Sequence, residues 1–150
     1  PVVGRIAITP DAVSPPPSGM GRIAQLDKPT SLTTCVERIR GHLDLSHVRV
    51  AVAPKHAGGT AIESLAVCPG AGGSLLAPLR NVDLMITGEM RHHDVLALNA
   101  AGISVVLTDH TNSERGYLPR LRRRLSKQWG DAIEWSISQA DHDPLVVVPG

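Results

Sequence analysis

The stretch Asp83 to Leu118, DLMITGEMRHHDVLALNAAGISVVLTDHTNSERGYL, decides how the chain folds. Two apolar runs, Val82 to Ile86 and Ile103 to Leu107, each stop at a polar cluster, Thr87-Gly88-Glu89 and then Asp109 to Glu114. Between them Val95, Leu98 and Ala101 recur at helical spacing over His92 to Ala101, and Gly102 stands where a helix-ending glycine belongs. The pattern predicts strand, helix, strand. Two strands joined by one helical crossover lie parallel, so both polar clusters fall at the same edge of the sheet, outside the carboxyl ends of the strands where open α/β folds bind ligands. That edge is the candidate site.

Outward from this unit the same alternation continues. Arg22 to Leu26 reads as a strand and Pro29-Thr30-Ser31 as a helix start, followed by an apolar stripe at Leu32, Cys35, Val36, Ile39 and Leu43. Val48 to Ala53 alternates as a strand does, and Pro54 to Thr60 reads as a turn. Ala61 to Cys68 is the next strand, running into Pro69-Gly70-Ala71-Gly72-Gly73-Ser74 before the apolar Leu75 to Leu79. Beyond the central unit, Leu118, Leu121, Leu125 and Trp129 form a second stripe on a helix starting near Pro119, and Ile133 to Ile137 is a candidate last strand. The expected fold is therefore α/β, a mostly parallel sheet flanked by helices. Its core spans residues 22–138, after an exposed Pro-rich connection over 1–21 and before a loose tail over 139–150.

Composition limits what such a domain does. With 42% hydrophobic and 19% charged residues but no Phe, two Trp and one Tyr, the core must be built from Val, Ile, Leu and Ala. Fifteen Lys and Arg against fourteen Asp and Glu give no overall bias toward nucleic acid or an anionic membrane. Arg120, Arg122, Arg123, Arg124 and Lys127 cluster late in the chain, off the Leu121–Leu125 stripe, and read as a solvated helix face. So few aromatics offer no stacking platform for single strands, so nucleic-acid binding is not favoured. The two cysteines, Cys35 and Cys68, each sit in an apolar pattern and read as buried free thiols of a reducing compartment. No apolar run approaches the roughly 18 to 20 residues of a membrane span, and Pro1 begins no targeting pattern, so a cytoplasmic location is expected.

Several residues at the candidate edge carry chemistry. His110 and Glu114 lie four apart after an interior strand; an imidazole nitrogen and a carboxylate turned toward one point suit Zn, Mn or Fe, although this spacing is also common by chance. Asp109 either orients His110 as an acceptor or caps the turn. Glu89 reads equally as a general base and as a helix-start carboxylate. Of His92 and His93, either one is exposed and the other fills a gap, or at least one faces the cleft as acid, base or phosphate donor. The Gly72-Gly73-Ser74 turn either allows a tight strand-to-helix connection or, with Arg115, holds an anion; neither the P-loop nor the dinucleotide pattern is met.

The strings Thr87-Gly88-Glu89-Met90-Arg91-His92-His93-Asp94 and Asp109 to Leu118, DHTNSERGYL, in this order and spacing, resemble the two closing motifs of the YbgI/Nif-three-like family. The resemblance runs from about Gly21 to Leu125. It implies an α/β protein with a dinuclear metal centre, two divalent ions per full-length subunit, and a toroidal homo-hexamer. Some members of the family are labelled GTP cyclohydrolase-like, and others are described as binding partners of transcriptional regulators. On that pattern His110 and Glu114 match the second-half metal ligands, and the glycine-and-serine turn faces the metal cleft. The first-half ligands have no counterpart, so this chain resembles the carboxyl-terminal half of a longer protein. The expectation for that protein is a metal-dependent hydrolase of a phosphorylated or nucleotide-like small molecule, with Glu89, His92 and His93 as candidate catalytic groups. The alternative is a scaffold for regulatory proteins whose metal is structural.

Overall fold

In a computed structural model the described residues are 2–4 (backbone only), 19–140, 143–145 and 148. Six strands, β1 (Val2–Gly4), β2 (Arg22–Thr30), β3 (Arg49–Ala51), β4 (Ile62–Cys68), β5 (Leu84–Thr87) and β6 (Ser104–Leu107), form one sheet in the order β1-β2-β4-β5-β6-β3. Its centre, β4-β5-β6, is parallel, and the flanking pairs β1-β2, β2-β4 and β3-β6 are antiparallel. The α/β architecture expected from the sequence is present, with the parallel strands where the candidate site lies; the antiparallel flanks make the sheet mixed.

Helices cover both faces. α1 (Leu32–His42) starts at Ser31, whose hydroxyl accepts the Thr34 N–H at 3.1 Å, and lays Leu32, Cys35, Val36 and Ile39 on Ile62, Leu84 and Val106. On the other face α3 (Gly73–Leu76) and α4 (His92–Ala100) contribute Leu76 and Leu98 to a core with Ala66, Met85 and Val105. Adjacent residues such as Leu84 and Met85, or Val105 and Val106, thus serve opposite cores, the alternation that a strand imposes. Gly102, at φ +82°, follows α4 as expected, and both cysteines are buried and free.

Four local expectations change. Val2–Gly4, expected within an exposed connection, pairs with β2 as an edge strand, while residues 5–18 lie outside the described residues. β2 continues through Pro29 to Thr30 because a register break after Gln25 spares the missing donor. The Pro54 turn contains one helical turn, α2 (Pro54–Ala57). Ile133 to Ile137 forms no strand: Ile137 lies in a hollow with Pro119, Arg122 and Ser126 of α6 (Leu118–Trp129), away from the sheet edges held by β1 and β3. The tail expected over 139–150 falls largely outside the described residues. Among the described residues no helix is long and apolar enough to cross a membrane.

The amino edge of the parallel strands is pinned by Asp83. Its Oδ2 accepts from the Glu63 and Ser64 N–H groups at 3.1 Å each and from Ser64 Oγ at 3.0 Å, and its Oδ1 accepts from Lys55 Nζ at 2.7 Å. Burial works to raise this carboxyl, but Lys55, Glu63 and Ser64 outweigh it and hold it at about 2. Beside it the fully buried His56 ring meets Ser104 Oγ through Nδ1 at 2.7 Å. That hydroxyl also accepts from the Ala53 N–H, and on the other side of the ring Nε2, 3.9 Å from Asp83 Oδ1, has no hydrogen-bond partner among the described residues. Burial, with Lys55, pushes the histidine's pKa down, which keeps it neutral.

Because the Asp83 carboxyl falls from an ordinary 3.8 to about 2 on folding, its charge stabilises the fold above 3.8, by about 2 kcal/mol, and that contribution fades as pH drops from 3.8 toward 2. Asp83→Asn is expected to lose about 2 kcal/mol at pH 7, and chemical denaturation across pH should show wild type and variant converging in that acid window.

Candidate functional site

Three loops meet above the carboxyl ends of β4, β5 and β6. Gly70 stands at their centre, at φ +66°. Its carbonyl accepts from the Glu89 N–H at 3.0 Å and from Thr87 Oγ1 at 3.2 Å, and its own N–H donates to Ser113 Oγ at 2.7 Å. Ser113 Oγ in turn donates to the His110 carbonyl at 2.7 Å. The Thr108 N–H donates to the Thr87 carbonyl at 3.1 Å, which joins the second and third loops. Space here is as constrained as hydrogen bonding. A Cβ on Gly88 would lie 2.7 Å from the Gly70 carbonyl oxygen and 2.9 Å from that of Asp109; one on Gly70 would fall on Glu114 Oε1 and come 3.2 Å from His110 Nε2.

Over this floor, α5 (His110–Glu114) sets its first and last side chains together. His110 Nε2 is 3.6 Å from Glu114 Oε1, and on its other side Nδ1 is 3.4 Å from Glu89 Oε2. All three side chains are about half exposed. Ligand atoms held about 2.1 Å from a tetrahedral ion are separated by about 3.4 Å, so the Nε2–Oε1 gap fits two donors to one ion. A carboxylate next to the other ring nitrogen is the usual partner of a metal-binding histidine, because it fixes the tautomer that leaves Nε2 unprotonated. Among the described residues no group of three or more His, Cys, Asp or Glu side chains converges. Two donors of this kind would need further ligands from elsewhere to hold an ion.

The remaining candidates are distributed differently. Asp109 neither caps α5 nor meets the His110 ring: its carboxylate accepts from Arg49 of β3 at 2.8 Å, and Glu89 takes the place beside the ring. Asp109 also holds φ +65° and ψ 159°, a conformation nearly reserved for glycine. His92 and His93 are exposed at the start of α4, and neither is hydrogen-bonded or ion-paired to Glu89, His110 or Glu114; His93 Nε2 lies 3.7 Å from its neighbour Asp94. Gly72 and Gly73 are buried by close packing. The Gly72 N–H is taken by Thr87 Oγ1 at 3.1 Å, and a Cβ on Gly73 would press on Glu89 and Met90 at 3.0 to 3.2 Å. Ser74 instead lines an open cleft of about 410 Å³ with Glu89, Arg91 and Asp94. Arg115 opens the short 3₁₀ turn (Arg115–Tyr117) after α5.

This arrangement can be compared with known proteins. A family model described as Duf34/NIF3 (NGG1p interacting factor 3) matches residues 4–144. The chain belongs to that family. NIF3-like protein 1 of Bos taurus is 44% identical over 131 residues, covering 87% of this chain and 34% of its own length, and the NGG1-interacting factor 3 of Saccharomyces cerevisiae is 36% identical over 132 residues, covering 86% and 45%. Among solved structures, the Staphylococcus aureus protein SA1388 superposes with a TM-score of 0.70 at 22% identity, over 88% of this chain and 38% of that one. The protein ybgI does so with 0.64 at 20%, over 85% and 46%. The chain thus spans about a third to a half of the length of these relatives.

The sequence reading took Gly70 only as the start of a turn, Gly70 to Ser74, expected to hold negative charge, and singled out neither Gly88 nor Ser113; the three instead position the pair through close packing and hydrogen bonds. Gly88, inside a quoted motif, and Gly70, directly after a strand-ending proline, were the available signals. Gly88→Ala is expected to destabilise the fold by about 2–3 kcal/mol, because backbone atoms of Gly70, Asp109 and His110 lie within 2.9 Å of the added Cβ, against about 1 kcal/mol for Gly59→Ala, which has a positive φ but nothing within 4 Å. Equal losses in urea titrations would mean that the loops do not press on one another at Gly88.

Proposed function

We propose that the full-length protein is a metal-dependent hydrolase acting on a phosphorylated or nucleotide-like small molecule, with His110 and Glu114 as two of its metal ligands. The observation that carries this reading is the Nε2–Oε1 pair, 3.6 Å apart over Gly70, with Glu89 behind the ring. Zn, Mn or Fe, two per subunit, would supply an acidified water and a positive centre for the substrate. The chain's own residues divide the remaining work. Glu89 Oε2 holds His110 in one tautomer, while its other oxygen is available in the cleft shared with Ser74 and Arg91 to accept a proton. Ser74 and Arg115 are the candidates to hold negative charge. His92 and His93 stand outside this division, as exposed groups at the mouth of α4.

A second reading has an observation of its own, the name of the yeast relative as an interacting factor. In it the protein is a scaffold for a regulatory partner and the metal is structural. In either reading the full-length protein is a homo-oligomer, for which light scattering should give a mass several times that of the subunit.

Elemental analysis of the full-length protein should find bound transition metal, reduced in His110→Ala with Glu114→Ala; unchanged stoichiometry overturns the ligand assignment. Glu89→Gln should keep the metal and lower kcat toward phosphoester substrates by about 100-fold. Metal without turnover on any phosphoester or nucleotide would favour the scaffold.

A further inference from the structure

A second hollow adjoins the His110–Glu114 pair, on the face of the sheet that α1 covers. It is a half-open space of about 280 Å³ between Ile39 of α1, Leu43 just after that helix, Leu65 and Val67 of β4, and Ile86 of β5. Ser113 is common to both places: it lines the hollow, and its hydroxyl ties Gly70, the floor of the pair, to His110. Protein interiors are close-packed, so apolar space of this size beside convergent polar groups is where ligands bind.

The polar side chains on its wall decide what fits. Thr87 Oγ1 accepts from the Gly72 N–H and donates to the Gly70 carbonyl, and Thr108 Oγ1 donates to the Thr87 carbonyl at 3.4 Å. Ser113 Oγ is engaged on both sides, and the Cys68 thiol donates to the Pro69 carbonyl at 3.6 Å. Among the described residues of this wall, the His42 ring, exposed at the end of α1, and the oxygen of the Thr108 hydroxyl, which only donates, are the side-chain groups left for an occupant. An occupant therefore meets mostly apolar surface, and the several donors and acceptors on the edge of a nucleobase would find too few partners there. The volume, about 280 Å³, is more than a single ring requires, so it is the apolar wall and not the size that favours a hydrophobic occupant.

We propose that this hollow receives a single apolar ring of the molecule whose polar end reaches His110 and Glu114. The proposal rests on the reading of that pair as a ligand site, and within it narrows the substrate class from nucleotides to phosphoesters of compact hydrophobic alcohols.

The test uses the metal-loaded full-length protein, with phenyl phosphate, methyl phosphate, guanosine monophosphate and benzyl alcohol as probes and titration calorimetry as the readout. Phenyl phosphate should bind about tenfold tighter than methyl phosphate, a gain set by burial of the ring. Val67→Phe, which fills the hollow, should remove that preference while leaving methyl phosphate binding unchanged. Should that variant fail to fold, Ile86→Ala should shift the preference toward naphthyl phosphate. Benzyl alcohol should bind even in His110→Ala with Glu114→Ala, which keeps the hollow separate from any failure of the metal reading. Equal affinity for phenyl and methyl phosphate, or guanosine monophosphate binding as tightly as phenyl phosphate, would overturn the assignment.

Discussion

At the carboxyl edge of the sheet three backbone loops approach one another more closely than side chains allow, and the placement of every chemical group there depends on that approach. Gly88 threads between the carbonyls of Gly70 and Asp109, and Gly70 lies directly under His110 and Glu114. The hydrogen bonds that close the gap run through the backbone and through two small hydroxyls, Thr87 and Ser113. A pair of side chains placed this way takes its position from the main chain, and the two stay about half exposed.

The two ends of the parallel strands solve opposite problems. At the amino edge Asp83 is surrounded by donors from Lys55, Glu63 and Ser64, and His56 and Ser104 complete a largely closed network. Apart from His56 Nε2, which has no hydrogen-bond partner among the described residues, these polar groups are satisfied, and satisfied polar groups make a rigid boundary. At the carboxyl edge Glu89, His110 and Glu114 face solvent with capacity to spare. Asp109 adds a local backbone conformation that costs about 1–3 kcal/mol, at the residue just before His110, where the chain turns from β6 into α5. The exposed Arg49–Asp109 pair, of the kind worth less than about 1 kcal/mol, cannot offset that alone; the close-packed loops must hold it.

The α/β class, the helices around Cys35 and Leu98, and the strand-helix-strand unit with its edge site were legible in the sequence, because 3.6-residue and two-residue periodicities survive in any chain whose elements each bury one face or both. The two closing motifs were legible for the same local reason: His110 and Glu114 sit one helical turn apart, so their meeting follows from spacing. Asp109 was read either as a partner of the adjacent His110 or as a cap of the turn, yet adjacent residues on a turn point apart, and its carboxylate makes no cap bond and faces Arg49 instead.

What only the tertiary structure decided involves residues distant in the chain. That β3 closes one side of the sheet beside β6, that β2 and β1 extend the other antiparallel, and that Glu89 stands behind His110 all depend on strand order, which periodicity does not encode. The roles of Gly70 and Gly88 were invisible for a further reason. A glycine records only that a side chain is missing, and the identity of what occupies its place, here a carboxylate, an imidazole and two carbonyls, is known only when the loops that bring them are assembled.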